Sequence, residues 1–149
     1  MGSAVHAASL ERPVRLMIAL EMIGYYDSAP GSQDYPYPAM SWLYPDRGDF
    51  IAVVGRMQDI NAVRQVKAAL LSSRDLSVYS MNAPGFIPGI DFSDHLNYWQ
   101  HDIPAVMITD TAFYRNKQYH LPGDTADRLN YQKMAQVVDG VITLLYNSK

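Results

Sequence analysis

The chain has 149 residues, of which 48% are hydrophobic, and it carries a formal net charge of −3 with a pI near 5.7. This composition favours one globular domain with a sizeable core, and the twelve scattered Lys and Arg residues argue against a nucleic-acid partner. No apolar run approaches the roughly 20 residues that cross a bilayer, so we also expect no membrane partner. Because cysteine is absent, any metal must be held by His, Asp or Glu.

The first segment, residues 1–13, lacks the basic start and the apolar run of a secretory signal. We interpret it as a tag or a disordered lead, and we expect residues 14–149 to form a single α/β domain. The residues leave the cellular compartment open.

The first predicted strand is Val14–Leu20, a nearly continuous apolar run of the kind that is covered on both faces of a sheet. It ends directly before Glu21. The next segment, Ser28–Asp49, is rich in proline, tyrosine and glycine, which favours an ordered loop over regular structure. A loop of this length either has a functional or covering role, or is a surface excursion packed by its own aromatic residues.

A strand-to-helix unit is predicted after this loop. Phe50–Gly55 is a second apolar strand, and Asp59–Ser73 is a helix whose apolar residues fall on one face. That face comprises Ile60, Val63, Val66 and Leu70. A third strand is predicted at Leu76–Met81.

The stretch from residue 85 to residue 120 combines a loop, a short helix, a buried strand and a polar loop. Ser93 or Asp94 is predicted to cap the helix, and Ile103–Thr109 is predicted to be the strand. In open α/β sheets, ligand-handling residues gather beyond the carboxyl ends of strands. We therefore expect the chemistry to lie between Thr109 and Asp124.

The adjacent Ser93, Asp94 and His95 invite a serine-hydrolase interpretation. Consecutive helical residues, however, point about 100° apart, so these three cannot converge as nucleophile, base and orienting acid. The chain also lacks the Gly-x-Ser-x-Gly turn that presents a nucleophilic serine in many hydrolases. A capping and loop-fixing role is the favoured interpretation.

The last predicted helix begins after Asn130, which can cap it. Its apolar residues have the strongest helical period in the chain, and we predict that they face the core: Met134, Val137, Val138, Val141, Ile142 and Leu145. Gly140 is expected to cost about 1 kcal/mol relative to Ala. The alternation of strands and helices predicts a three-layer α/β/α sandwich with a mixed, mostly parallel sheet.

Two residues are candidate metal ligands. Glu21 follows a strand, His120 lies in a later loop, and carboxylate and imidazole groups both bind zinc. An isolated loop histidine is also commonly a hydrogen-bonded or exposed residue, so the residues alone leave both interpretations open.

Four motifs resemble the C-terminal half of the co-catalytic di-zinc aminopeptidases of metallopeptidase family twenty-eight, whose relatives include glutamate carboxypeptidases and glutaminyl cyclases. The motifs are Leu20–Tyr25, Phe92–Trp99, Ile103–Asn116 and Tyr119–Thr125. The resemblance runs from Val14 to Asn147, and it implies a partial zinc-aminopeptidase fold. In such enzymes two zinc ions share a bridging Asp and an activated water, and a Glu is the general base.

The resemblance also implies roles for individual residues. Glu21 and His120 would each bind one zinc ion, and Tyr119 and Asp94 would have supporting roles in the site. The residues implied to border the pocket for a peptide or amino-acid-like substrate are Asp110, Phe113, Tyr114 and Arg115.

The family's His-x-Asp segment and Glu-Glu pair have no counterpart before Val14, so the general base, the bridging Asp and one ligand of each zinc are not matched. With one ligand per ion, we expect the isolated chain to bind zinc weakly and to be inactive. The chain is then either a peptidase fragment or a non-catalytic binding or assembly module derived from the peptidase fold.

The same comparison implies an uncovered sheet edge. We expect either a homo-oligomer or an N-terminal half from elsewhere to cover it, because long unpaired apolar edges are seldom tolerated. The alternative is that residues 1–13 or the Ser28–Asp49 loop fold back over the gap.

Overall fold

The computed structural model describes residues 2–147, which form a four-stranded sheet flanked by helices. The elements in chain order are α1 Gly2–Ala8, β1 Met17–Leu20, β2 Ile51–Gly55, α2 Ile60–Leu70, β3 Val78–Asn82, α3 His95–Trp99, β4 Ala105–Thr109 and α4 Tyr131–Asn147. Short 3₁₀ turns lie at Pro38–Trp42, Met57–Asp59, Ala112–Tyr114 and Ala126–Arg128. No helix in this range is long and apolar enough to cross a membrane.

The strands lie in the order β1-β4-β2-β3. β1 is parallel to β4 and β2 is parallel to β3, whereas β2 and β4 are antiparallel. The predicted α/β fold with a mixed, mostly parallel sheet is therefore confirmed. Because β2 and β4 run in opposite directions, the end of the sheet at which β1 and β4 finish is also the end at which β2 and β3 start.

The central strands β2 and β4 are buried along their whole length, as their continuous apolar sequence predicts. β1 begins later than the predicted strand Val14–Leu20. Its pairing with β4 starts only where the Met17 N–H donates to the Pro104 C=O, at 2.9 Å. The register of β1 with β4 begins with the pair Met17 and Ala105.

Apolar side chains fill both faces of the sheet, which gives the predicted three layers. The core under α2 and α4 contains Ile51, Val53, Val63, Val66, Leu70, Val106, Ile108, Val137 and Leu144. The core on the opposite face, where α1 and α3 lie, contains Ala7, Phe50, Ala52, Val54, Ile90, Tyr98, Trp99 and Met107. Successive residues of β2 thus divide between the two cores, as expected from the alternation of side chains along a strand.

Helix α4 lies on the core as predicted, but only part of its predicted face is buried. Val137 is buried together with Gly140 and Leu144. The predicted core residues that are instead exposed are Val138, Ile142 and Leu145. The helix therefore has two apolar stripes, and the period of the sequence does not distinguish between them.

One predicted helix cap is confirmed and the other is wrong. The Asn130 side chain accepts a hydrogen bond from the Lys133 N–H (3.0 Å), which caps the start of α4. At α3, Asp94 occupies the capping position, but its side chain makes no capping hydrogen bond. The Asp94 carboxylate instead accepts a hydrogen bond from the hydroxyl of Ser3, a residue of α1, at 2.6 Å.

The prediction of a disordered lead over residues 1–13 is wrong, because residues 2–8 form α1. This helix packs against α3, and its Ala7 is buried in the core. The Asn97 side chain also donates to the Ser3 hydroxyl (2.8 Å), and the His6 ring lies 2.6 Å from the Tyr98 hydroxyl. These contacts join α1 to α3, which is distant in the sequence. The local pattern of residues 2–8 therefore did not reveal the helix.

Gly140 allows the close approach of α4 to α2. A Cβ at this position would lie 2.7 Å from Leu70 Cδ2 and 2.9 Å from Leu70 Cα.

We therefore predict that Gly140→Ala lowers the free energy of unfolding by about 1–3 kcal/mol, the usual cost of overpacking, although Ala is the better helix former. Urea unfolding measures the change. Gly85→Ala is the control, since no atom lies within 4 Å of its added Cβ; an unchanged or raised stability of Gly140→Ala would contradict the prediction.

Candidate functional site

A cavity of about 110 Å³ lies over the face of the sheet that carries Ala52, Val54 and Met107, and it extends to the end where β1 and β4 finish. Glu21, the residue after β1, forms part of its wall, and its N–H continues the ladder by donating to the Ile108 C=O (3.0 Å). The Glu21 carboxylate is half-buried and accepts a hydrogen bond from the Ser93 hydroxyl (2.7 Å). Ser93, predicted as a possible helix cap, thus orients the candidate metal ligand.

The cavity is lined mainly by apolar and aromatic side chains. They come from the sheet, from the segment after β4 and from the loop before β2, and include Tyr35, Met40, Tyr44, Phe50, Ala52, Tyr79, Met81, Ile90, Phe92, Met107, Phe113, Tyr114 and Tyr119. The long Ser28–Asp49 loop supplies one wall. Of the two interpretations of this loop, the structure therefore favours the covering role.

Three of the five tyrosines that line the cavity donate their hydroxyls to backbone carbonyls. Tyr35 donates to the Pro45 C=O (2.6 Å) and Tyr44 to the Ser80 C=O (3.2 Å). Tyr114 donates to a third carbonyl, that of Pro88 (3.3 Å). Burial raises the pKa of Tyr35 to about 12 and raises the pKa values of Tyr44 and Tyr114 above their usual range, so all three stay protonated donors.

Asp110, at the end of β4, organises the backbone beside the cavity. Its buried carboxylate accepts hydrogen bonds from the N–H groups of Gly24 (3.0 Å), Tyr25 (2.8 Å) and Ala112 (3.0 Å). Burial raises the pKa of Asp110, and these hydrogen bonds oppose the rise. The carboxylate joins the segment after β1 to the segment after β4.

Arg115, which does not line the cavity, connects the Ser28–Asp49 loop to the start of β2. Its buried guanidinium donates through Nε to Gln33 Oε1 (2.9 Å) and through Nη1 to the Tyr25 C=O (3.0 Å). It also stacks on Phe50, with 4.6 Å between the guanidinium carbon and the ring centroid. Burial lowers the pKa of Arg115, and nearby Asp110 opposes the shift. The Gln33 amide in turn donates to Thr111 Oγ1 (2.9 Å), which completes the link.

His120 is exposed and lies beside the cavity wall. Its ring stacks on that of Tyr119, which lines the cavity, with 3.9 Å between the centroids and 17° between the planes. His120 has a φ of 58°, a left-handed conformation that non-glycine residues rarely adopt. The backbone thus turns sharply at the second candidate ligand.

His95, next to Asp94 in sequence, is fully buried rather than part of a triad. Its Nε2 lies 2.6 Å from the Ile90 C=O, and its ring packs edge-on against Trp99 with 4.5 Å between the centroids. Nδ1 has no hydrogen-bond partner within the described residues. The histidine is therefore a neutral core residue that donates from Nε2.

The structure brings some of the predicted site residues together and separates others. Glu21, Phe113, Tyr114 and Tyr119 line the cavity, with His120 adjacent. Asp110 and Arg115 lie behind it, and Asp94 contacts α1. The roles of these residues in metal or substrate binding stay predictions.

The sequence did not identify Gln33, Tyr35 or Tyr44 as individual site residues. The only available signal was the aromatic content of their loop, because their positions depend on contacts with segments distant in sequence, such as Gln33 with Arg115. The periodic pattern of apolar residues does not predict such contacts.

The described residues do not by themselves fit a zinc ion. Residues 2–147 contain no group of three His, Asp or Glu side chains that could hold a metal. Glu21 has Ser93 as its hydrogen-bond partner and His120 stacks on Tyr119, so neither is joined by further ligands. Zinc sites require three or four protein ligands.

Comparison with known proteins assigns the fold and the family. Residues 1–145 match the sequence model of peptidase family M28. The chain is 96% identical over 149 residues to "Uncharacterized protein YfbL" of Escherichia coli strain K12, and it covers 46% of that protein. The chain thus spans less than half the length of this curated relative.

Solved structures share the fold at low sequence identity. The LapA aminopeptidase of Legionella pneumophila superposes with a TM-score of 0.67 and 20% identity over 96% of this chain and 34% of its own. BSAP, a zinc aminopeptidase from Bacillus subtilis, superposes with a TM-score of 0.65 and 17% identity over 99% of this chain and 32% of its own. The fold therefore corresponds to about a third of each of these structures.

The burial of His95 gives a pH-dependent stability. Burial lowers the pKa of its imidazole below the usual 6.5, so the unfolded chain takes up a proton near pH 6.5 and the folded chain only at lower pH. The contribution is thus fully present above pH 6.5 and is lost as the pH falls. We predict that the free energy of unfolding decreases by up to about 1.4 kcal/mol per pH unit below 6.5 because of this group.

Urea titrations between pH 7 and pH 5 test this prediction. His95→Phe should be less stable at pH 7, because the bond to Ile90 is lost, but should show a shallower pH dependence than the unmodified chain. His101→Phe, at an exposed position, is the control and should keep the original slope. Equal slopes for His95→Phe and the unmodified chain would rule out His95 as the source.

Proposed function

This chain belongs to peptidase family M28, and we propose that it forms part of a zinc-dependent aminopeptidase. In this proposal the chain supplies the pocket for the terminal side chain of a peptide, with Glu21 and His120 as metal ligands. The observation that carries the proposal is the position of Glu21, which lines the cavity together with Tyr119, the stacking partner of His120. The candidate ligands thus lie beside a pocket, as a peptidase requires.

The chemistry of the cavity supports an apolar side chain as its occupant. Aromatic and aliphatic groups dominate its lining, and the hydroxyls of Tyr35, Tyr44 and Tyr114 are bonded to the backbone. An apolar cavity of roughly 150 Å³ suffices for a benzene molecule, so the cavity of about 110 Å³ is on the scale of one amino-acid side chain.

The proposal requires further metal ligands. Glu21 and His120 would give one protein ligand per ion, and residues 2–147 hold no cluster that could complete either site. A metal-bound water is activated only in a formed site, so we assign no hydrolytic step to these residues alone. Hydrolysis belongs to an assembly in which other residues join Glu21 and His120.

A second candidate function is a non-catalytic binding module. The feature that favours it is the cavity itself, whose lining residues all belong to this chain. The two candidates make the same prediction for the isolated chain. They differ in whether the longer E. coli relative, which contains additional residues, is a zinc-dependent peptidase.

Zinc binding by the isolated chain is predicted to be weak. With one ligand per ion, affinity should not exceed that of an ordinary surface carboxylate or histidine, because affinity falls steeply as ligands are lost. Calorimetry at neutral pH should show no submicromolar site, and Glu21→Gln and His120→Ala should leave the titration unchanged. A stoichiometric, tight zinc that His120→Ala abolishes would show that the chain completes a site by itself.

Aminoacyl-anilide hydrolysis by the isolated chain is predicted to stay at background, because a missing general base alone lowers rates by about 10²–10⁴. The longer E. coli relative is predicted to hydrolyse the same substrates in a chelator-sensitive way. Substitution of Gln at the position matching Glu21 should abolish that activity, whereas Lys at the position of exposed Trp42 serves as the control. An inactive relative would favour the binding module.

A further inference from the structure

The loop of residues 116–124, here called the His120 loop, is closed at its base by a buried side chain. Asn116 is 1% exposed, and its amide donates to the Asp124 carboxylate at 2.7 Å. The oxygen of the same amide accepts a hydrogen bond from the Gln118 N–H (3.0 Å). Because Asn116 and Asp124 stand on either side of His120 in the chain, their hydrogen bond fixes the two ends of the loop.

The backbone of the His120 loop requires such support. Its N–H groups form short turns, in which Tyr119 donates to the Asn116 C=O (3.0 Å) and Leu121 donates to the Gln118 C=O (2.8 Å). His120 itself has the left-handed φ of 58°. A non-glycine residue keeps this conformation only where the surrounding contacts determine it. The orientation of the His120 ring therefore depends on what holds the loop.

Arg128 holds the loop from outside. Its Nη1 donates to Asn116 Oδ1 (2.9 Å) and to the Gly123 C=O (3.1 Å), so it contacts both ends of the loop. Its Nη2 donates to the Tyr25 hydroxyl (3.0 Å), and its guanidinium carbon lies 4.7 Å from the centroid of the Tyr25 ring. The donors of a guanidinium point in fixed directions within one plane. One rigid group thus joins the His120 loop to Tyr25.

Tyr25 belongs to the segment after β1, which begins with Glu21. This segment is bound to β4 at its start and to the carboxylate of Asp110 at its end, where the Tyr25 N–H donates at 2.8 Å. The hydrogen bond between Arg128 and Tyr25 therefore joins the Glu21 segment directly to the His120 loop.

The start of α4, just after Arg128, is held by other contacts. The Asn130 N–H donates to the Gly24 C=O (2.8 Å), and the Asn130 side chain accepts from the Lys133 N–H. Loss of the Arg128 contacts should therefore release the His120 loop without unfolding the helix. Arg128 also does not line the cavity, so its loss leaves most of the cavity wall in place.

We propose that Arg128 is a positioning residue of the candidate site: by joining Tyr25 to the closed ends of the His120 loop, it sets the position of His120 relative to Glu21. The inference rests on the function proposed above, which gives Glu21 and His120 their roles. The opposing interpretation is that Arg128 only stabilises the fold, and the two interpretations predict different responses of the His120 ring.

Nuclear magnetic resonance of the isolated chain tests the positioning. The His120 ring stacks on Tyr119 with 3.9 Å between the centroids, so its ring protons should carry an upfield ring-current shift. Arg128→Lys removes the planar group, and Tyr25→Phe removes only the hydroxyl that accepts from it. In both variants the ring protons of His120 should lose most of this shift, because the left-handed turn that stacks the two rings is no longer fixed.

Two reference histidines and one control variant make this result specific. The exposed His101 and the buried His95 lie in other parts of the chain, so their resonances should stay unchanged. Arg64→Lys changes an exposed arginine of α2 and should leave the His120 resonances as they are in the unmodified chain.

A double variant separates positioning from general stability. Arg128→Lys combined with Tyr25→Phe should shift the His120 resonances no further than Arg128→Lys alone, because both changes break the same link. Tyr25→Phe should lower the melting temperature of the chain by no more than about 4 °C, the scale of one lost hydrogen bond in a domain of this size. The His120 ring thus responds although the fold is kept.

The longer E. coli relative gives a second measurement. Lys at the position matching Arg128 should lower kcat by about tenfold or more and leave KM within about threefold, because His120 is displaced while most of the cavity wall is kept. Lys at the position matching Arg64 should change neither constant. If the relative is inactive, the proposed function fails, and the resonances of the isolated chain still decide the positioning.

Unchanged His120 resonances in both Tyr25→Phe and Arg128→Lys would overturn the proposal, since the loop would then be held without this link. Additive shifts in the double variant, or a raised KM at constant kcat in the relative, would also contradict it. If Arg128→Lys does not fold, Tyr25→Phe decides the question, because it removes a single hydroxyl.

Discussion

The buried guanidinium of Arg115 is the contact on which the shape of the cavity depends. A charge removed from water is tolerated only where hydrogen bonds and polarisable groups replace the lost solvation. Gln33, the Tyr25 carbonyl and the Phe50 ring supply most of that replacement, and they belong to three different segments, whereas Nη2 has no hydrogen-bond partner within residues 2–147. These contacts hold the long loop against the sheet beside the cavity.

The reversal of β2 against β4 places this arrangement where it can serve a site. It collects two strand ends and two strand starts at one end of the sheet, so that Glu21, Asp110 and Phe50 become neighbours despite their separation in sequence. Asp110 then fixes the turns that follow β1 and β4 through three backbone N–H groups. Fold and pocket are therefore consequences of the same strand order.

Local sequence pattern predicted the four strands, α2 and α4, because apolar runs and helical periods carry that information. It missed α1, whose seven residues are defined by contacts with α3, and it did not choose between the two apolar stripes of α4. The residues alone left the ligand roles of Glu21 and His120 open, and only the family resemblance implied one zinc ion for each, because a single carboxylate and a single histidine have no local pattern. The cavity was not predictable, since contacts such as Gln33 with Arg115 join segments that are far apart in the chain.

In the proposed function, the bonded hydroxyls of Tyr35, Tyr44 and Tyr114 would give the cavity a selectivity that rests on exclusion. A polar or charged group that entered would give up its hydrogen bonds to water and find these three donors already engaged. Such a mismatch costs roughly 1–3 kcal/mol for each unpaired polar group, which corresponds to about a 5- to 150-fold preference for an apolar guest. Such discrimination would come from the loop and the sheet themselves, and it would require no contact that recognises a particular side chain.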